Sequence, residues 1–227
     1  MVHGKIGFRF KTQIKRANPV LIEQLKKYPA PNIGDAMERF YIMDAGIKPV
    51  KQDMFIAGPA VTVMMRPGDN LMLQKALELV QPGDVLVVNT CGNTSNAIWG
   101  GLMTQMAVKV GLAGVIIDGS LRDVDDILAY NFQAFSRAIV ACGCDREGPG
   151  EINYPIVCGG VVVNPGDIII ASHDGVAVIP QEDAVEVLEA TDKVFQREEQ
   201  RVAEINAGNL FPGYVDAVLR QKNVIIN

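Results

Sequence analysis

Hydrophobic residues along this chain fall into short, nearly uninterrupted runs, bounded mostly by glycine, proline, asparagine or aspartate. Such apolar continuity is typical of strands buried on both faces of a sheet, because a half-solvated strand would alternate polar and apolar residues. Two of the runs follow a Pro-Gly-Asp tripeptide, at positions 82 and 165, which supplies the preceding turn. The pattern predicts strands over residues 60–65, 85–89, 114–118, 134–140, 161–163, 168–171 and 176–179.

Other segments repeat their apolar residues at the three- to four-residue spacing of an amphipathic helix. A short helix is expected to begin near Asn32 or Asp35. Helices that alternate with strands favour an α/β fold. We expect a single domain over residues 1–227, with a core over about residues 20–180 and a C-terminal helical extension over about 181–227. The spacing predicts helices over residues 18–27, 71–80, 102–110 and 182–207.

The most informative stretch is Ile-Ile-Asp-Gly-Ser-Leu-Arg-Asp-Val-Asp-Asp, over residues 116–126. Here an apolar strand ends and is followed by the pair Arg122-Asp123 and then a helix. A guanidinium can bind an anion through two hydrogen bonds, and a carboxylate can hold a hard cation. Upstream, Gly100 and Gly101 open another helix, whose free N–H groups suit a carboxylate or phosphate. These features predict a metal-assisted site for a small oxo-acid.

Each of these features also has a purely structural interpretation. Asp123 can be the N-cap of the next helix, with Arg122 solvated. Gly100 and Gly101 can mark a place where a neighbouring backbone passes close to the chain. However, Gly101 lies 21 positions before Arg122, with a predicted helix and strand between them, so the intervening chain can bring both together. That relation favours the functional interpretation.

Composition excludes several classes of function. At 227 residues and 48% hydrophobic content, the chain can bury a full core. The formal net charge of −5 argues against a nucleic-acid partner or an anionic membrane surface. No apolar run reaches the roughly 18 residues that a membrane-spanning helix needs. With His3 and His173 as the only histidines, we do not expect a hydrolase triad or a zinc site of histidine ligands.

Cysteine usage and the N-terminal charge add two expectations. The cysteines lack zinc-ribbon spacing, so we expect reduced thiols in a cytoplasmic protein. The first 22 residues carry five basic residues and no acidic one, which predicts a solvated or partner-covering basic arm. The cysteines are Cys91, Cys142, Cys144 and Cys158.

Several motifs together resemble the RraA-like family, over about residues 20–215. The motifs are Gly-Asp-Asn at 68–70, Pro-Gly-Asp at 82–84 before a buried strand, Trp-Gly at 99–100, Ile-Asp-Gly-Ser-Leu-Arg-Asp at 117–123, Pro-Gly-Asp at 165–167 and Asp-Gly-Val at 174–176. The resemblance implies a β/β/α sandwich of the swivelling phosphohistidine-domain type, with helical N- and C-terminal extensions, assembled as a homotrimer or homohexamer. The family includes metal-dependent (class II) pyruvate aldolases with oxaloacetate decarboxylase activity, alongside non-catalytic regulators of ribonuclease E.

The resemblance also implies site residues. Asp123, with water molecules, would hold Mg²⁺ or Mn²⁺, and Arg122 would stabilise charge on the 2-oxo oxygen of a pyruvate-like substrate. A glutamate from the C-terminal helix of a neighbouring subunit would complete the metal site, and the alignment points to Glu198, with Glu199 as the alternative. The substrate carboxylate would be held by the N–H groups of Gly100, Gly101, Leu102 and Met103.

One position departs from the family pattern. The aldolases carry an acidic residue 21 positions before the motif arginine, where this chain has Gly101. By the resemblance, that acid orients metal-bound water, so its loss would slow proton transfer unless another acid, such as Asp35 or Glu38, replaces it.

The sequence predicts a divalent-metal-dependent lyase. The expected reaction is the cleavage of a 4-hydroxy-2-oxo dicarboxylic acid that releases pyruvate, or the decarboxylation of oxaloacetate. The alternative is a non-catalytic regulator that binds a ribonuclease E-type partner.

Overall fold

Four parallel strands form the centre of the first compact unit of this computed structural model, which describes residues 1–224. These strands lie side by side in the order β4-β5-β6-β7, and they carry the apolar runs. Every residue of β6 is buried, as expected for a strand covered on both faces. The strands are β4 (Ile56–Met65), β5 (Val85–Trp99), β6 (Gly114–Leu121) and β7 (Ala134–Ile139).

The other strands extend or cover this centre. The first half of β4 pairs with β11, which forms a hairpin with β12, and the last three residues of β4 pair with β8. β9 and β10 form a separate two-stranded ribbon. These strands are β1 (Val2–Lys5), β2 (Phe8–Lys11), β3 (Lys48–Pro49), β8 (Gly150–Ile152), β9 (Ile156–Cys158), β10 (Val161–Val163), β11 (Ile168–Ser172) and β12 (Gly175–Ile179).

Helices cover the sheet and fill the connections between the parallel strands. A main apolar cluster surrounds the central sheet, and a smaller one joins α1, α2 and the β11–β12 hairpin to the start of α6. The predicted α/β fold with terminal helices is therefore confirmed. The helices are α1 (Pro19–Leu25), α2 (Ala30–Ala36), α3 (Leu71–Ala76), α4 (Gly101–Lys109), α5 (Val124–Ala129), α6 (Ala184–Asn206) and α7 (Tyr214–Gln221).

The prediction of a basic arm at the N-terminus is wrong. Residues 2–11 form the β1–β2 hairpin, and β2 joins the sheet beside β8. Arg9 Nη2 lies 2.9 Å from Glu151 Oε2, and Arg16 binds both oxygens of the buried Asp84 at 2.7 Å. These basic residues find acidic partners far along the chain, which local charge counting does not reveal.

Several element boundaries also differ from the sequence prediction, and three of the differences are large or lie near the candidate site. β5 continues through register shifts to Trp99 instead of ending at Asn89, because its later residues still pair with β6. The second helix begins at Ala30, directly after Pro29, and α3 ends at Ala76.

The second compact unit comprises residues 192–227. Within it, Arg201 donates to Glu204 Oε2 and to the Leu210 carbonyl, both at 2.7 Å, and so ties the end of α6 to the following turn. The expected single domain with a C-terminal extension stays a prediction. Within residues 1–224, no helix is both long and apolar enough to cross a membrane.

Asp69 joins two loops at the carboxyl end of the sheet. Its fully buried carboxylate accepts N–H bonds from Leu71 at 2.9 Å, Glu147 at 2.7 Å and Gly148 at 2.9 Å, and it faces Arg66 at 3.4 Å. Burial raises the pKa of this carboxyl, but the three N–H donors and Arg66 outweigh burial and hold the pKa below its usual range. Asp69 thus fixes the segment 145–148 against the end of β4 in its charged form.

We expect Asp69→Asn to lower the free energy of unfolding by about 2 to 3 kcal/mol at neutral pH, because its amide leaves at least one buried N–H without an acceptor. Urea denaturation measures this loss. The pKa of Asp69 is lower in the folded protein than in the unfolded chain, where it is about 4. The stability that its charge contributes is therefore fully present above about pH 4 and is lost as the pH falls through the folded-state pKa. The difference in the free energy of unfolding between the parent protein and Asp69→Asn should therefore become smaller as the pH is lowered.

Asp145→Asn is the matched control, since the Asp145 side chain is 74% exposed and faces Arg66 at 3.5 Å. It should change the free energy of unfolding by less than about 0.5 kcal/mol. Equal losses in the two variants would contradict the role of Asp69.

Candidate functional site

The predicted site residues meet at the carboxyl ends of β5 and β6. The Arg122 N–H donates to the Trp99 carbonyl at 3.0 Å, so the end of one strand is bonded to the end of the next. This places Arg122 and Asp123 beside Gly100 and Gly101, as the sequence predicts. Ligands of open α/β sheets bind at this edge.

Trp99 fixes the start of α4. Its indole is 1% exposed, stacks on Phe132 with ring centroids 5.7 Å apart, and donates from Nε1 to Thr104 Oγ1 at 2.9 Å. The Thr104 hydroxyl in turn donates to the Gly100 carbonyl at 3.1 Å. The first turn of α4 is therefore held rigidly, and the N–H groups of Leu102 and Met103 have no partner within the helix.

Asp123 occupies the N-cap position of α5, but it does not cap that helix. Its backbone is left-handed, with φ of 58° and ψ of 47°, and its side chain makes no bond to the first turn of α5. Instead, Asp123 Oδ2 accepts the Gly101 N–H at 2.9 Å, so the carboxylate caps the neighbouring helix α4. The simple N-cap interpretation of Asp123 is therefore wrong.

The two interpretations of the glycine pair have different outcomes, since the pair opens α4 but no neighbouring backbone passes close to it. Gly100 is the N-cap of α4 and Gly101 its first residue, as the first-turn interpretation requires. A Cβ at Gly100 would overlap Asp123 Oδ2, and a Cβ at Gly101 would overlap Asp126 Oδ2. In this arrangement the space beside both glycines is taken by carboxylates, and not by a neighbouring backbone.

A cavity of about 360 Å³ opens beside this helix end. Arg122 reaches it past Gly143, and Arg122 Nε lies 3.6 Å from Asp123 Oδ2. A second guanidinium, that of Arg146, lines the same cavity. The lining residues are Asn70, Ala97, Ile98, Trp99, Gly100, Gly101, Leu102, Met103, Arg122, Asp123, Gly143, Cys144 and Arg146.

The sequence analysis did not assign several of these residues to the site, among them Asn70, Cys144 and Arg146. Asn70 donates to the Ile98 carbonyl at 3.0 Å and accepts from Gln74, which holds the rim below α4. Burial raises the pKa of the Cys144 thiol, so Cys144 is a neutral wall residue and not a thiolate nucleophile. Arg146 comes from the segment that Asp69 fixes. The Gly-Asp-Asn motif was the available signal, since its Asp69 and Asn70 build this wall.

The donor set suits a hard divalent cation held mainly by water and substrate. Within residues 1–224, no group of three or more histidine, cysteine or carboxylate side chains could hold a metal ion. Asp123 alone offers a carboxylate at the cavity, and its Oδ1 has no hydrogen-bond partner among the described residues. Mg²⁺ commonly binds through one or two carboxylates and keeps several waters. The residues present are compatible with Mg²⁺ or Mn²⁺, which the Asp123 carboxylate would hold.

The remaining predicted acids lie elsewhere. Asp35 lines a different cavity, where Arg39 Nε faces it at 3.8 Å. Glu38 lies just beyond α2 in the left-handed conformation, with φ of 53°. Glu198 is an exposed residue of α6 in the second compact unit, and its role in a neighbouring subunit stays a prediction.

Comparison with known proteins gives consistent results. The model of the RraA-like family, described as Aldolase/RraA, matches residues 30–178. A protein of Halalkalibacterium halodurans, provisionally named 4-hydroxy-4-methyl-2-oxoglutarate aldolase, is 38% identical over 79% of this chain and 86% of its own. The 4-hydroxy-4-methyl-2-oxoglutarate aldolase of Thermus thermophilus is 32% identical over 50% of this chain and 69% of its own.

Solved structures show the same fold. A Streptomyces coelicolor protein, described as an unusual member of the RNase ES inhibitor RraA protein family, superposes with a TM-score of 0.77 at 25% identity, over 83% of this chain and 98% of that one. With the family model covering well over half of its length, this chain belongs to the RraA-like family.

Proposed function

We propose that this protein is a divalent-metal-dependent lyase that cleaves the C3–C4 bond of a 4-hydroxy-2-oxo dicarboxylic acid and releases pyruvate. The same site would decarboxylate oxaloacetate. The observation that carries the proposal is the convergence of two guanidiniums, the free N–H groups of α4 and the Asp123 carboxylate on one cavity. The relatives named as 4-hydroxy-4-methyl-2-oxoglutarate aldolases support the lyase assignment.

Binding of the substrate follows from the charges of the cavity. The N–H groups of Leu102 and Met103 would bind the carboxylate next to the 2-oxo group, at the positive end of the helix dipole. Arg122 lies beside them and would bind the 2-oxo oxygen. Arg146 supplies a second positive charge at the cavity, which suits the distal carboxylate of a dicarboxylic acid.

Cleavage of the C3–C4 bond at this site requires a group that accepts the electron pair of the broken bond. When C3–C4 breaks, the electron pair passes to C2 and its oxygen, and Arg122 stabilises the resulting enolate charge. Bound beside Asp123, the divalent cation would supply Lewis-acid polarisation of the 2-oxo acid. Gly100 and Gly101 carry no Cβ, which leaves room beside the helix end for the carboxylates of Asp123 and Asp126.

The alternative is a regulatory protein that binds a ribonuclease. It draws on solved relatives described as inhibitors of RNA processing. The cavity favours the enzyme, because a binding surface needs no paired guanidiniums and carboxylate around an open helix end.

A metal-dependent activity assay tests the proposed function. Purified protein with Mg²⁺ or Mn²⁺ should release pyruvate from oxaloacetate and from 4-hydroxy-4-methyl-2-oxoglutarate, and EDTA should stop both reactions. Absence of pyruvate release from both substrates, with either metal, would overturn the lyase and leave the regulatory alternative.

We expect Asp123→Asn to abolish metal-dependent turnover and to weaken Mg²⁺ binding, measured calorimetrically in the presence of oxalate. Asparagine keeps an oxygen for the Gly101 N–H and tolerates the left-handed backbone, so the fold should be preserved. Only the charge is lost. Asp125→Asn removes the same charge from the first turn of α5 and serves as the control. Full Mg²⁺-stimulated activity in Asp123→Asn would exclude it as the metal ligand.

We expect Arg146→Gln to raise KM for the dicarboxylic substrates by about tenfold or more, the loss of one charge-assisted contact of about 1.5 kcal/mol. Pyruvate, which lacks a distal carboxylate, should inhibit the variant and the parent equally. Lys109→Gln, at the far end of α4, removes a positive charge away from the cavity and should leave KM unchanged. Equally weakened pyruvate inhibition would contradict a distal contact.

A further inference from the structure

We propose that Cys142 and Cys144 form a reversible disulfide bond in the presence of a peroxide, and that this bond inactivates the neighbouring site. The effect on activity rests on the proposed function, whereas the bond itself does not. Cys142 and Cys144 flank Gly143, and both Gly143 and Cys144 line the cavity beside Arg122. A covalent bond at this position would therefore alter the wall of the site.

Accessibility separates this pair from the other cysteines. Cys142 is exposed and Cys144 is half-buried, whereas Cys158 is fully buried. Burial raises the pKa of the Cys158 thiol well above its usual range, which makes this thiol unreactive. Cys91 is exposed as well, but it has no second cysteine close to it in the sequence. Cys142 alone combines an exposed thiol with a nearby second thiol, the usual arrangement of a redox-sensing pair.

The spacing of the pair permits a disulfide bond. The Cα atoms of residues two positions apart are separated by at most about 7 Å. Bridged cysteines have Cα atoms roughly 4.4 to 6.8 Å apart, so a bend at the intervening residue can bring the pair into this range. Gly143 is that residue, and a glycine bends with little steric cost because it has no Cβ.

In the reduced protein, residues 142 and 143 are fastened to β5. Asn96 Nδ2 donates to the Gly143 carbonyl at 2.8 Å and to Cys142 Sγ at 3.4 Å. The Ala97 N–H donates to the Cys142 carbonyl at 2.7 Å. A bend at Gly143 would turn its carbonyl away from Asn96, so oxidation and this attachment to the strand exclude each other.

Gly143 also lies directly against Arg122. A Cβ built at Gly143 would lie 3.1 Å from Arg122 Nη1, so the glycine backbone forms the surface on which the guanidinium rests. The bend that closes the disulfide bond would move this surface. The guanidinium that we propose to stabilise the enolate would then lose its position, and the site would lose activity.

The oxidation balances in two steps. Hydrogen peroxide oxidises the exposed Cys142 thiol to a sulfenic acid and releases one water. The Cys144 sulfur then attacks the Cys142 sulfur, the S–S bond forms, and the sulfenic hydroxyl leaves with the Cys144 proton as a second water. A dithiol reductant reverses the change, because it gives two hydrogen atoms to the sulfurs and itself becomes a disulfide.

The surroundings of Cys144 suit the second step. Burial has the largest effect on the Cys144 thiol and raises its pKa, so at rest this thiol is neutral and a poor target for the oxidant. The positive charges of Arg146 and Arg122 act in the opposite direction. They would stabilise the thiolate that forms when Cys144 loses its proton during the attack on Cys142.

The experiment treats the full-length protein with hydrogen peroxide and follows the bond by intact mass and peptide mapping. We expect the loss of two hydrogen atoms from the peptide that contains Cys142 and Cys144, and its reversal by dithiothreitol. For the oxidised fraction, Mg²⁺-dependent pyruvate release should fall by about 10²-fold, the usual cost of removing one group that stabilises an oxyanion.

Cys142→Ser and Cys91→Ser form a matched pair of variants, since each replaces one exposed thiol. Cys142→Ser should have the parent activity before treatment and keep it within about twofold afterwards, because no sulfenic acid can form at residue 142. Cys91→Ser should be inactivated as fully as the parent. Inactivation by methionine oxidation would affect all three proteins alike, and dithiothreitol would not reverse it.

Trp99 provides a readout that does not depend on activity. It is the only tryptophan of the chain, it is 1% exposed, and it lines the same cavity. Movement of the cavity wall changes the surroundings of the indole. Peroxide should therefore change the Trp99 fluorescence reversibly in the parent and in Cys91→Ser, and leave it unchanged in Cys142→Ser.

The outcomes separate this proposal from the proposed function. Free thiols at Cys142 and Cys144 after treatment, or a bond that leaves both pyruvate release and Trp99 fluorescence unchanged, overturn the redox proposal alone. Equal inactivation of Cys142→Ser and the parent also overturns it. A reduced parent that releases no pyruvate overturns the proposed function, and the mapped bond and the Trp99 signal then still decide whether the pair responds to peroxide.

Discussion

The site depends on one hydrogen bond, from the Gly101 N–H to Asp123 Oδ2 at 2.9 Å. It joins the first residue of α4 to the residue that follows β6, and it is possible only because Gly100 carries no Cβ to overlap that oxygen. The bond makes the carboxylate part of the helix end, where the N–H groups of α4 stabilise its charge. The carboxylate that we propose as the metal ligand and the helix end that we propose to bind the substrate carboxylate are thus built as one unit.

A second constraint sets the opposite wall of the cavity. Asp69 is buried after the end of β4, and its carboxylate accepts hydrogen bonds from backbone N–H groups of the segment 145–148. The segment has no regular structure of its own around Arg146, so this buried carboxylate decides where the backbone of Arg146 lies. A buried charge at one place in the structure therefore sets the backbone position from which an exposed arginine reaches the cavity.

The sequence predicted what depends on local pattern. Apolar runs located the central strands, and the strand-to-helix junction located Arg122, Asp123 and the glycine pair. The sequence could not predict that Arg146 lies at the cavity. Its position depends on a hydrogen bond from the Glu147 N–H to Asp69, which lies 78 positions earlier in the chain. The N-terminal hairpin was missed for the same reason, since Arg9 pairs with Glu151. Contacts between distant segments leave no periodic signal.

The glycine at position 101 shows how a departure from a family pattern can be misjudged from sequence alone. In the sequence, Gly101 stands where the family's aldolases carry an acidic side chain, so that side chain is lost. In space, the volume beside it is filled by the carboxylate of Asp126, which comes from the next helix. A carboxylate can therefore reach this point at the start of α4 from either helix. An acid that is missing from a motif is therefore absent from the site only when no neighbouring element reaches the same space.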